Sequence, residues 1–114
     1  MTDTLREKLV EILSPIVPVT LSESEVGEYP YCTYEMTTVP TYAKDMIVRY
    51  TGTANVYIAS KVFEEADGIG AQVAEAVEEG FFSDKYGSRL TGVTKDCYEG
   101  VWVITLNYTL IQKL

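Results

Sequence analysis

An α+β fold is predicted for this 114-residue chain: a mostly antiparallel sheet of four to five strands with two helices on one face, in the order α-β-β-β-α-β-β. Three observations predict it. The last strand-like run sorts its large residues by parity, with Tyr98, Trp102, Ile104, Leu106, Tyr108 and Leu110 on one face and Val101, Val103, Thr105, Asn107 and Thr109 on the other. Residues 47–60 alternate in the same way, placing Val48, Tyr50, Ala54, Val56 and Ile58 opposite Arg49, Thr51, Thr53, Asn55 and Tyr57. Between the two runs the period becomes helical: Val62, Phe63, Ala66, Ile69, Gly70, Val73, Ala74 and Val77 face away from Glu64, Glu65, Asp67, Gln72, Glu75, Glu78 and Glu79. A helix with such a stripe covers a sheet.

Each element has its own warrant. Thr4-Leu5-Arg6-Glu7 has the form of a capping box, and Leu5, Leu9, Ile12 and Leu13 follow at helical spacing, so a first helix is expected over residues 3–13. Pro15 and Pro18 stop it, because neither donates a backbone hydrogen bond and each restricts its predecessor. A short strand over 19–21 follows, then an exposed acidic loop over 22–28 with Glu23, Glu25 and Glu28. Residues 29–37 form a strand introduced by Pro30, with Cys32, Tyr34 and Met36 on one face and Thr33, Glu35 and Thr37 on the other. Residues 38–45 read as a long connection or hairpin arm, and Gly52 as a bulge or bend within the next strand. The second helix, over 61–79, takes Ser60 as cap and Gly80 as a left-handed terminator, and Phe81 and Phe82 pin its exit to the core. A turn-rich loop over 83–88, a short strand over 89–95 and a bend over 96–100 lead into the final strand.

Composition narrows the function classes. Hydrophobic residues make up 46% and charged residues 23%, as in a single globular domain, and the longest apolar run is far below the roughly 20 residues needed to span a bilayer. The mixed-charge start has no secretory character. Nine basic against seventeen acidic residues give a net charge of −8, which disfavours a phosphate-backbone partner and suits a basic protein partner or a surface that DNA passes without sticking. Neither nucleic-acid nor membrane binding is expected.

The residues offer little chemistry. Histidine is absent, and Cys32 and Cys97 fit no zinc spacing, so both read as small buried apolar residues. Gly68-Ile69-Gly70 begins like a dinucleotide fingerprint but has Val73 at the third glycine and lies inside a helix, where it reads as a close-packing face. The pairs Glu64/Glu65 and Glu78/Glu79 diverge around a helix instead of converging on a substrate. Asp96 and Glu99 supply too few oxygens for a hard cation, no serine or cysteine stands in a nucleophile motif, and the sequon Asn107-Tyr108-Thr109 lies in a core strand. No enzyme activity, cofactor or metal is expected. Of nine tyrosines, Tyr29, Tyr31, Tyr42, Tyr57 and Tyr86 fall in loops or on second faces, where tyrosine gives amphipathic contact surface.

Taken together, the helix Leu5-x3-Leu9-x2-Ile12, Val17-Pro18-Val19, Tyr29-Pro30-Tyr31-Cys32-Thr33-Tyr34, the strand ending Ala54-Asn55-Val56-Tyr57-Ile58, the helix from Glu65-Ala66 to Ala76-Val77, and Tyr98-Glu99-Gly100-Val101-Trp102 resemble the small tail-completion, or tail-terminator, proteins of long-tailed bacteriophages and prophages. The resemblance covers nearly the whole chain and rests on structural motifs, the Tyr-Pro-Tyr and Tyr-Glu-Gly-x-Trp segments above all. It implies a virion tail protein, assembled in the host cytoplasm. Such a protein forms a ring of itself, commonly a hexamer, at the head-proximal end of the tail tube, halts tube growth and offers a docking surface to the head-tail connector protein. Its expected partners are itself, the tail tube protein and the connector. The candidate interface is Glu23, Glu25 and Glu28 in the acidic loop, Tyr29 at the entry to the strand that follows it, and Tyr42, Lys44 and Asp45 in the arm. Two other readings stand beside it: a head-tail adaptor or neck ring protein, and a small-molecule-binding α+β domain whose aromatic sheet face lines a pocket.

Overall fold

The computed structural model describes residues 4–20 and 29–114. Helix α1 (Thr4–Leu13) is followed by strands β1 (Tyr31–Ala43) and β2 (Met46–Ser60), helix α2 (Phe63–Gly80), and strands β3 (Tyr86–Tyr98) and β4 (Val101–Lys113). The strands form one antiparallel sheet in the order β1-β2-β4-β3. Both helices lie on one face, so the predicted class and layering hold. The predicted extra strand over 19–21 is reduced to a single parallel bridge from Val19 to Cys32, and its last residue lies outside the described residues, as does Asp3 at the predicted start of α1.

Cross-strand pairs show which residues share a face, because directly opposed side chains point the same way. Cys32, Ile58 and Ile104 form one rung under the helices, and Tyr34, Val56, Leu106 and Val93 the next. The opposite face is built from rungs such as Glu35, Asn55, Asn107 and Gly92, then Thr37, Thr53, Thr109 and Arg89. That face is polar because its parity positions carry threonine and asparagine. Leu5, Leu9 and Leu13 of α1 and Ala66, Val73 and Val77 of α2 close the core over Val56, Ile58, Ile104, Leu106 and Leu110. At about 25 cal/mol per Å² of apolar surface, burial of this cluster is the main favourable term in folding.

Several local expectations are corrected. Gly52 sits in an unbroken ladder between Thr38 and Leu110; the register shifts instead between Thr41 and Tyr42 and between Leu90 and Gly92. What Gly52 provides is room for α1, since a Cβ there would stand 3.3 Å from Leu5 Cδ1. The cap of α2 is Val62, without a side-chain cap bond; Ser60 accepts from the Val62 amide at 3.1 Å and donates to Glu65 at 2.6 Å. Gly80 is the last helical residue and not a left-handed terminator; α2 ends through Phe81, whose amide bonds back to Val77. Phe81 is buried but Phe82 is 87% exposed, so only the first phenylalanine pins the exit. Tyr98 belongs to β3 and not to the final run: Glu99 and Gly100, both with positive φ, make a two-residue hairpin, so parity restarts at Val101. Strand β3 is also longer than predicted, with the turn-rich segment shortened to residues 81–85.

Candidate assembly surface

Strands of 13 and 15 residues outrun two helices of 10 and 18. At about 3.3 Å per strand residue against 1.5 Å per helical residue, the sheet must project beyond its cover. Along β2, the fully buried residues all lie between Gly52 and Ser60, whereas from Met46 to Thr51 none is fully buried and Met46, Val48 and Arg49 are exposed. The molecule is correspondingly elongated, 52 × 25 × 22 Å.

The projecting end is the β1-β2 hairpin. Lys44 and Asp45 connect the strands with φ of 49° and 69°, the left-handed pair that a tight hairpin with native twist requires. Around this turn Val39, Tyr42, Met46 and Val48 are all exposed, Met46 to 69% and Tyr42 to 62%. Single exposed apolar side chains are ordinary, but four on one short ribbon, divided between its two faces, leave the hairpin tip unusually apolar. The arm expected at residues 38–45 is therefore regular hairpin, and it presents Tyr42, Lys44 and Asp45 together at its tip.

Tyr29 is elsewhere. It precedes the far end of β1, about 40 Å from the turn by strand length, with its ring tilted against that of Tyr31 at 5.4 Å and the Lys61 ammonium 5.4 Å from its ring. The candidate interface residues thus fall into two groups at opposite ends of the sheet, and Glu23, Glu25 and Glu28 lie outside the described residues. Of the tyrosines read as contact surface, Tyr29 and Tyr42 are exposed. Tyr31 is buried, and Tyr86 packs edge-on against Phe81 at 5.9 Å on the helix side. The sequence missed Met46 and Val48, whose exposure follows from where the helices end and not from their own residue type.

The sheet edges are the second exposed feature. Segment 18–20 bonds to Cys32 through the Cys32 amide and carbonyl, both at 2.8 Å, and covers the start of β1. Beyond that point neither the outer edge of β1 nor that of β3 has a strand partner among the described residues. Unpaired strand edges are templates for pairing with another chain.

Reactive groups are scattered. Cys32 is fully buried in the core, and burial pushes its thiol up to about 12. Cys97 is exposed near the end of the edge strand β3, which corrects its reading as a buried residue. Among the described residues no group of three or more histidine, cysteine, aspartate or glutamate side chains is arranged to hold a metal. A cleft of about 390 Å³ lies between the exit of α2 and the start of β3, lined by Glu78, Phe81, Phe82, Ser83, Asp84 and Tyr86. Tyr108 is buried with a hydroxyl that has no hydrogen-bond partner among the described residues, and burial first, with the Glu78 charge second, pushes it up to about 12. No described helix is long and apolar enough to cross a membrane.

No protein-family model matches the chain, and no curated protein matches it. Its fold, however, is shared with a solved structure: a chain from the virion of a native gene transfer agent particle superposes with a TM-score of 0.65 over 93% of this chain and 84% of that one, at 12% identity. At that identity the likeness is one of fold.

Proposed function

We propose that this protein is a structural subunit of a phage or phage-like virion, and within it a tail-completion (terminator) protein. It forms a ring, most simply a hexamer, at the head-proximal end of the tail tube, stops tube growth and presents a surface to the head-tail connector. The observation that carries the reading is the fold held in common with a chain of a gene transfer agent virion over nearly the full length of both. The residue pattern of tail-completion proteins supports it, as do a projecting hairpin with exposed apolar side chains and two sheet edges with open stretches. A subunit whose work is contact requires such surfaces and no catalytic group, and we assign it no enzymatic activity, cofactor or metal.

The test is assembly. Tail tube protein polymerised with and without this chain is imaged by negative-stain electron microscopy, and the mass of the free chain is measured by light scattering over a concentration series. Expected are tubes of limited length capped at one end by a ring, and a mass that rises with concentration. Binding to the isolated connector with no effect on tube ends would move the assignment to a neck adaptor. A strict monomer with no affinity for either would remove it.

A further inference from the structure

The nine basic side chains of this acidic protein divide into two sets. Four are engaged within the subunit. Arg6 lies over Tyr34 at 5.9 Å, Lys8 over Tyr86 at 4.5 Å, Lys61 over Tyr29, and Lys95 pairs with Asp67 at 2.7 Å. The other five are Lys44, Arg49, Lys85, Arg89 and Lys113, and none of them takes part in an ion pair among the described residues.

These five lie together. Arg49 and Lys113 are direct cross-strand partners on β2 and β4, and the Lys113 amide bonds to the Lys85 carbonyl at 2.7 Å. Arg89 faces Thr109 on the same side of the sheet, and Lys44 is in the hairpin turn. Within residues 37–53, 84–89 and 109–113 the only acidic residues are Asp45 and Asp84. Like charges placed directly opposite on a sheet repel, and Arg49 beside Lys113 has no acidic side chain paired with it among the described residues.

The outer face of α2 is the complement. Glu64, Gly68, Ala71, Glu75 and Glu79 are all exposed and spaced three or four residues apart, which makes an acidic stripe with small residues at its centre. A Cβ on Gly68 would meet nothing within 4 Å. The last turn of α2 contains Glu78 and Glu79 and no basic residue, so acidic charge accumulates at the negative end of the helix dipole.

We propose that neighbouring subunits join head to tail through these two surfaces, the basic end of one sheet lying on the acidic stripe of the next subunit's α2. The partner is a second copy of this chain, and the inference rests on the ring reading above. Two different patches that complement each other make a heterologous contact, the kind that generates rings. Nucleic acid is the other obvious ligand for a basic patch. Exposed Val39 and Met46 on the same face of the hairpin as Arg49 favour a protein surface, as does the presence of the complementary patch on the same molecule.

Charge reversal tests it. Self-association is measured by sedimentation velocity at low and high salt for the wild type, for Arg49→Glu with Lys113→Glu, for Glu75→Lys with Glu79→Lys, and for the four changes combined; thermal melts confirm that each variant folds. Each pair of reversals is expected to weaken association at least about tenfold, and the combined variant to recover it, because opposed charges are restored with exchanged sign. High salt should weaken the wild type in the same sense. Association of the wild type that neither reversal reduces overturns the proposal and leaves the ring standing on another interface. A wild type that is monomeric at every concentration overturns both. Binding of a 20-base-pair DNA duplex that is lost in Arg49→Glu with Lys113→Glu, with self-association intact, assigns the basic end to nucleic acid instead.

Discussion

Gly70 of α2 rests on Ile104 of β4, so close that a Cβ built on the glycine would stand 3.2 Å from Ile104 Cγ2. Both residues are buried, and Ile104 is branched at Cβ with the contacting Cγ2 methyl held by its restricted χ1, so the strand has no slack to give.

The two glycines of Gly68-Ile69-Gly70 should therefore respond in opposite ways. Gly70→Leu overpacks the helix-sheet contact and is expected to cost about 1–3 kcal/mol. Gly68→Ala gains helix propensity at an exposed position with free space and should stabilise by about 0.5–1 kcal/mol. Urea unfolding of the two variants reads both. Stabilisation by Gly70→Leu would contradict the close packing.

Cys97 should take up one equivalent of maleimide in the native protein and Cys32 none, because the thiolate is the reacting form and Cys32 is both enclosed and held protonated to about 12. Intact mass is expected to show one adduct under native conditions and two in denaturant. Two native adducts would place Cys32 outside the core.

Tyr108 makes the fold sensitive to alkali. Its folded value of about 12 lies above the ordinary 10, so the unfolded chain loses that proton first and stability falls as pH rises between about 10 and about 12; below 10 it contributes no pH dependence. Tyr108→Phe should abolish that part of the slope and, by removing a buried hydroxyl that has no partner among the described residues, be neutral or stabilising by up to about 1 kcal/mol at neutral pH. The Cys32 thiol adds a loss of the same sign from about 9 upward, which the variant retains. Denaturant midpoints at pH 7 and 11 separate the two contributions.

Trp102 lies edge-on to Phe63 with ring centroids 4.9 Å apart, and it is half-buried although it shares the core-facing side of the final strand with Ile104 and Leu106. Trp102→Ala should cost about 2–3 kcal/mol, below the roughly 3–5 typical of an enclosed aromatic, and leave a folded domain. Loss of all cooperative unfolding would show that the ring contributes more than its contact with Phe63.

Tyr42→Ser with Met46→Ser removes apolar surface that no described residue covers, so stability should change by no more than about 0.5 kcal/mol. Assembly should weaken, as seen by light scattering at matched concentration. A large drop in melting temperature with normal assembly would assign the hairpin tip to folding.

The layered fold was legible because parity and helical period are local properties. The alternation through Val56 and Ile58, and through Ile104 and Leu106, named the buried face correctly, and the stripe Ala66, Val73, Val77 named the helix that covers it. Element ends were less legible. The sequence placed the final strand's parity back to Tyr98 because nothing local shows that Glu99 and Gly100 both adopt positive φ, and it broke β2 at Gly52 because a glycine kept for Leu5 looks the same as one kept for a bulge. The candidate surface was half visible. Tyr42, Lys44 and Asp45 stood out as turn chemistry, whereas the pairing of Arg49 with Lys113 is set by register between distant segments and has no local signal.

The strand order also sets the sequence in which the chain can organise itself. The β1-β2 and β3-β4 ribbons each close through two residues, so either can form with little loss of loop entropy. The seam between β2 and β4 joins positions as remote as Gly52 and Leu110, and it gains nothing until the whole of α2 and β3 has been gathered in between. The topology thus favours an order in which the two ribbons pair first and then dock, with α2 as the tether between them. A nascent chain released before β4 is made would hold β2 as a bare edge.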